Sequence, residues 1–212
     1  MSKVTSLLTL LILALPLFTG VTQAASTDEL LSVQRQWAQI QYDRPEKQRE
    51  DAFAKLVSTI DEKLDKSNDQ VQWLIWKGIV LSSQAGASGG LGGLKLAKQA
   101  REVFEQAIAI DPAALEGSAL TSLATLYHEV PGWPIGFGDE EKAQALFKQA
   151  LEIAPDSMDN NYFYGRYLLD QGENKKGLEA LHHALQAPAR ELRSRADSGR
   201  RQEIQSLIEQ AG

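Results

Sequence analysis

Not one of the 212 residues is cysteine. That excludes structural disulfides, thiolate zinc sites, a cysteine nucleophile and lipid attachment through an N-terminal cysteine. Packing alone has to hold the fold, and a chain of this length buries enough apolar surface to do so. Histidine is nearly as scarce, with three residues. His182 and His183 are adjacent and point to different helix faces, unlike the i, i+4 pair of a metalloprotease motif. No serine elbow, no histidine-based metal set and no isolated pair of buried carboxylates stands out, so no enzyme, cofactor or metal is expected. Positive charge is in deficit, 22 Lys and Arg against 28 Asp and Glu for a net charge of −6, which leaves no electrostatic footprint for nucleic acid. The basic residues Arg190, Arg193, Arg195, Arg200 and Arg201 are interleaved with Glu191 and Asp197 and read as a solvated cap.

Long apolar runs are absent except for Leu7 to Phe18, which follows Lys3 and precedes Thr22-Gln23-Ala24. The run is shorter than a membrane span of about 20 residues. It has the form of a secretory signal peptide covering residues 1–24. The expectation is a periplasmic or secreted chain, touching a membrane only through that segment if it stays uncleaved.

What the sequence does have is a pattern written twice. KQAREVFEQAIAIDP places Ala100, Phe104, Ala107 and Pro112 at offsets that EKAQALFKQALEIAP repeats with Ala143, Phe147, Ala150 and Pro155. The first three positions share one face of a 3.6-residue helix, and the proline ends it. Ahead of each lies another apolar helix: VQWLIWKGIVL, then SALTSLATLY, then NNYFYGRYLL, with Gly78, Ala124 and Gly165 where two backbones come close. A third, weaker second helix holds Gly177, Leu181 and Ala184, with Pro188 one position early.

These residues resemble the tetratricopeptide repeat, W-x₂-L-G-x₂-Y followed by A-x₃-F-x₂-A and P, over residues 71–188. The resemblance implies an all-α fold, a TPR-like right-handed superhelix of antiparallel helix pairs with a C-terminal capping helix. Three repeats would span 70–188. Residues 25–69 would form an N-terminal helical pair, a degenerate repeat or a cap. Within it, Ser26-Thr27-Asp28-Glu29 reads as a capping box opening a helix to about Tyr42. Pro45 suits the first turn of a second helix, with Phe53, Leu56, Ile60 and Leu64 on one stripe. Residues 189–212 would supply the cap, whose Ile204, Leu207 and Ile208 cover the last pair.

Departures from the family pattern are as informative. Lys77 and Asn161 stand where the family keeps apolar residues. The turns after the first helix of repeats one and two are too long, by about ten and seven residues. The first excess is AGASGGLGGLK, Ala85 to Lys95, which lacks the glycine spacing of a nucleotide-binding loop. It reads as a compact crossing anchored by Leu91 and Leu94, or as a source of free backbone N–H groups for an anionic or peptide ligand. The second is HEVPGWPIGFG, His128 to Gly138, after which Asp139 can cap the next helix. Its Trp133, Ile135 and Phe137 either bury against the repeat or form an exposed apolar lip. Equivalent insertions in a solenoid map to one face, so the two segments are expected side by side.

The resemblance also implies a concave groove lined by the first helix of each pair. It carries Gln72, Ile75, Ile79 and Ser82 from the first copy, Ser118, Thr121, Thr125 and His128 from the second, and Asp159, Tyr162, Arg166 and Leu169 from the third. The basic clamp by which the chaperone-binding branch holds acidic tails is replaced here by Ile, Ser, Thr and Asp, with Arg166 the one cation. An extended or helical segment with an apolar side is the expected guest. Ile75, Ile79, Thr121, Thr125, His128, Trp133, Phe137, Tyr162 and Arg166 are the expected contacts. The implied function is binding of a protein or peptide partner in the cell envelope. The alternative is an accessory of a tripartite-type solute transporter that binds a small ligand or the solute-binding protein.

Overall fold

A computed structural model describes residues 21–67 and 70–212; most of the expected signal segment therefore lies outside the described residues. Among the described residues there are nine α-helices and no strand: α1 (Val21–Asp43), α2 (Arg49–Leu64), α3 (Gln70–Ser88), α4 (Gly90–Ile110), α5 (Ala114–Glu129), α6 (Glu140–Ile153), α7 (Met158–Asp170), α8 (Asn174–Gln186) and α9 (Ser194–Ala211). The chain is all-α, and α3 packs on α4, α5 on α6 and α7 on α8 as successive hairpins.

The alanine and phenylalanine stripes seat these hairpins. Ala100, Phe104, Ala107, Ala143, Phe147 and Ala150 are all removed from solvent. The ring of Phe104 lies where a Cβ on Gly78 would be, 2.4 Å from Cε1, so the missing side chain on α3 is the socket for the phenylalanine of α4. In the second repeat Phe147 packs against the rings of Tyr164 and Tyr167, with centroids 5.9 and 5.3 Å away. In the third, a Cβ on Gly165 would come 3.0 Å from the carbonyl of Gly177, the close backbone approach that two glycines permit. Emptying one phenylalanine position would cost about 3–5 kcal/mol, a large part of a domain's net stability.

The two residues out of pattern are reconciled locally. Asn161 is buried and donates to the carbonyls of Pro155 and Ser157, at 2.6 and 2.9 Å. Lys77 pairs with Asp61 of α2 at 2.7 Å.

Three expectations need correction. The glycine-rich stretch is no loop: α3 runs on to Ser88 and α4 starts at Gly90, with Gly89 at φ 64° as the sole linking residue. The extra residues lengthen both helices beyond the family's usual hairpin. Gly93 makes this possible, since a Cβ there would sit 2.6 Å from the carbonyl of Ala85. Leu91 anchors nothing, being 85 % exposed at the hairpin tip, and Leu94 is half-buried. The capping box at Ser26 does not start α1, which is already helical from Val21. Pro45 precedes a short 3₁₀ turn, Glu46–Gln48, rather than α2 itself.

The end of the chain departs furthest from expectation. Ile204 is fully buried on the last hairpin, with Leu207 and Ile208 partly buried around it. The same helix also reaches α1 at the other end of the stack. Arg195 pairs with Asp43 at 2.6 Å, and Arg35 donates to the carbonyl of Leu192 at 3.1 Å. The first and last described helices therefore meet, and α9 lies across the face toward which α3, α5 and α7 turn.

Candidate binding cavity

Closing that face creates a concave cavity of about 1180 Å³, walled by α1, α3, α5, α7 and α9. Ile79, Thr121, Thr125, Tyr162 and Arg166 line it, together with Ser82, Ser118 and Asp159. Ile75 does not: it is fully buried in the core between hairpins, because α3 is enclosed on more of its circumference than a solenoid's first helix would be. His128, Trp133 and Phe137 lie outside the lining.

The middle of the wall is a row of hydroxyls with a consistent polarity. Ser82 donates to the carbonyl of Gly78 at 2.9 Å, Ser83 to Ile79 at 2.9 Å and Thr125 to Thr121 at 2.9 Å. Each proton points back into its own helix, so each oxygen offers lone pairs outward. Such a surface accepts from N–H donors. Ser83 takes one already, the indole N–H of Trp37 at 2.8 Å.

Thr121 is held by Asn160, a fully buried side chain that reading the sequence missed. The Thr121 hydroxyl donates to Asn160 Oδ1 at 2.7 Å, while Asn160 Nδ2 donates to the carbonyls of Glu116 and Ala150 at 3.0 and 3.1 Å. It thereby ties together α5, the end of α6 and α7. The Glu116 carbonyl is presented by an unusual turn, Leu115, Glu116 and Gly117, all with left-handed φ of 49°, 61° and 73°. Leu115 and Glu116 both border the cavity.

One end of the cavity is charged. Asp159, at the start of α7, lies between Arg190 and Arg200 at 2.8 and 3.0 Å. Arg190 also meets Asp197 at 2.7 Å, and Arg200 meets Glu203 at 2.7 Å. Burial opposes the ionisation of Asp159, but the guanidinium groups of Arg200 and Arg190 outweigh it and hold the carboxyl well below its usual range. Arg200 is sandwiched against Tyr162 and Phe163, 4.2 and 4.6 Å from the ring centroids. The basic tail is thus no solvated cap but the lock that fastens α9 to α7. Arg166 is not a free cation, since it pairs with Glu129 across the hairpins.

The other end is apolar and open. Leu91, at the tip of the α3–α4 hairpin, and Ile135, 66 % exposed, both border the mouth. The second insertion packs on α4 beyond the first one: Arg101 stacks on Phe137 at 4.7 Å and Phe137 packs edge-on against Tyr127, while Leu91 of the first insertion and Ile135 of the second share the lining of the cavity. The loop divides its apolar residues, with Phe137 turned inward and Trp133 89 % exposed. Asp139 caps α6 by accepting from the Lys142 N–H at 3.1 Å. His128 bridges Glu140 and Asp170 through its two ring nitrogens, at 3.0 and 3.1 Å, and so joins α5, α6 and α7 beneath the loop.

Among the described residues no helix is long and apolar enough to cross a membrane, and no three acidic or histidine side chains are grouped to hold a metal ion. The tetratricopeptide-repeat family model matches residues 135–157, the second half of the loop and the whole of α6. Stacked hairpins lie on either side of that match, and the match supports a place for the chain among tetratricopeptide-repeat proteins. Repeats of this family are generally non-enzymatic scaffolds for protein–protein interaction. No curated protein matches the chain.

Proposed function

We propose that this protein is exported and holds a polypeptide partner in the cell envelope, admitting one segment of it to the cavity while the loop at the mouth meets the partner's body. The observation that carries the reading is the pair of Ser82 and Thr125 oxygens, whose outward lone pairs suit the N–H groups of an extended backbone, as the Ser83 oxygen beside them already suits the indole N–H of Trp37. Trp133 and Ile135, exposed beside the mouth, supply the kind of aromatic and apolar anchor on which interfaces concentrate their binding energy. The chain's own chemistry is scaffolding rather than turnover.

A photo-crosslinking residue at Ser122, which lines the cavity, and another at Trp133 are expected to capture the same polypeptide in intact cells. Lys148, exposed on the outer side of α6, serves as the silent control. Partner capture from Lys148 alone, or from none of the three, defeats the reading. Export is checked separately by the N-terminus of the mature chain, expected just after Ala24.

A second reading is supported by one specific observation. By reaching α1, α9 bounds the cavity instead of leaving an open groove, and a bounded volume of this order is typical of small-ligand sites. An accessory to a tripartite-type transporter would use it that way. Native mass spectrometry of the full chain separates the two, because a retained small molecule favours the second.

A further inference from the structure

The charged end of the cavity holds one cation that the protein does not neutralise by contact. Arg190 and Arg200 are each engaged by two carboxylates. Arg193, on the short turn Glu191–Arg193 between them, makes no ion pair with any described residue, and its Nε–H is buried without an acceptor. Its guanidinium lies over the ring of Trp76, 5.3 Å from the centroid, which fixes its orientation, and the indole N–H of Trp76 is itself a buried donor without an acceptor. Both residues line the cavity. Burial, followed by the neighbouring charge of Arg190, disfavours the charged form and pushes the Arg193 pKa below its ordinary value. A guanidinium so placed gains more from an incoming anion than a solvated one would.

The position of this group relative to the rest of the wall gives the ligand a direction. Arg193 meets the first half of α3, through Trp76, and neighbours Asp159 at the start of α7. Leu91 and Ile135 stand beyond the C-terminal ends of α3 and α5. Between them run the outward-facing hydroxyl oxygens. In order along the cavity there is a cation, a set of acceptors and an apolar mouth.

We propose that Arg193, platformed on Trp76, is the subsite for a carboxylate of the bound polypeptide segment, whose backbone N–H groups then face the hydroxyl row and whose apolar side chains lie toward Leu91 and Ile135. This rests on the peptide-holding reading above. The subsite is built by residues outside the repeat positions from which the chaperone-binding branch makes its clamp, which is why inspecting those positions alone argued against acidic guests. The carboxylate comes from a chain terminus or from an acidic side chain, and the chemistry is the same for both.

The test uses the full chain and three acetylated heptapeptide pools, randomised over residues other than Asp and Glu: one with a free C-terminal carboxylate, one amidated, and one amidated with a fixed internal glutamate. Retained peptide is measured by ultrafiltration and mass spectrometry. At least one carboxylate-bearing pool is expected to be retained about tenfold better than the plain amidated pool, as a charge-assisted hydrogen bond warrants. Preference for the free-acid pool assigns a chain terminus; preference for the glutamate pool assigns a side chain. Arg193→Gln is expected to abolish the preference and Arg193→Lys to keep part of it, with unchanged circular dichroism showing that both variants fold. Equal retention of all three pools, or a preference that survives Arg193→Gln, overturns the subsite and leaves the peptide-holding reading standing. Retention of no pool at all, by a folded protein, overturns both.

Discussion

Gly199 of α9 faces the ring of Tyr42 on α1 so closely that a Cβ there would lie 2.5 Å from Cε1 and Cζ. This contact, with the hydrogen bond from Tyr42 to Glu203 at 3.4 Å, is where the two ends of the helical stack meet. Gly199→Ala is expected to push α9 off α1 at a cost of about 1–3 kcal/mol, the range for overpacking a buried contact. Hydrogen exchange should show faster opening of α1 and α9 together, with the α5–α6 hairpin unchanged. Uniform change across all helices would contradict the assignment.

Asp159 carries the lock at the opposite wall. Asp159→Asn leaves Arg190 and Arg200 facing each other with one shared carboxylate fewer. Because Asp159 is 27 % exposed, the expected loss is about 2–4 kcal/mol, below that for a fully enclosed pair. Denaturant titration measures it. The carboxyl is held below its unfolded value, so its contribution is present above about pH 3.9 and disappears as the pH falls toward the folded-state value. The variant should be less sensitive than the parent over that acidic range.

His128 predicts the opposite slope. Partial burial works against its charged form, yet hydrogen bonds to Asp170 and Glu140 prevail and raise its pKa above 6.5. Its contribution is complete below the unfolded value and is lost as the pH rises through the higher folded one. Melting temperature is expected to decline as the pH rises above about 6.5 through the folded-state value, and His128→Gln to flatten that decline. An equal decline in the variant would assign the effect elsewhere.

The left-handed turn at Leu115 and Glu116 stores strain that glycine would not feel. Replacing the exposed Glu116 by glycine is expected to raise stability by about 1 kcal/mol, since an L-residue in this region costs roughly 1–2 kcal/mol. A destabilised variant would show that the Glu116 side chain, rather than its carbonyl bond to Asn160, matters to the turn.

The hairpins were legible in the sequence because their signal is local: Ala100, Phe104 and Ala107 recur at helical spacing, and proline marks each end. The glycine-rich stretch misled for the same reason. Local propensity disfavours glycine in helices, and only the approach of Gly93 to Ala85, a tertiary contact, outweighs it. The course of α9 had no local signature at all. Arg200 and Asp159 are 41 positions apart and Tyr42 and Glu203 are 161 apart, so the arginines looked solvated until their carboxylates were brought to them. Ile75 was placed on the groove by family register, and the wrapping of α3 by its neighbours put it in the core. Nothing in the order Trp133, Ile135, Phe137 says which ring turns inward; Arg101, from another helix, decides that.

Because α9 fastens to α1, the bowl has a beginning and an end that depend on each other. An ordinary repeat stack frays from its tips and gains order unit by unit. Here the chain has to be made through α9 before Arg195 can find Asp43, more than 150 positions earlier. The closed cavity is therefore the last thing to mature, and a chain cut before α9 would assemble its hairpins yet never own a finished vessel.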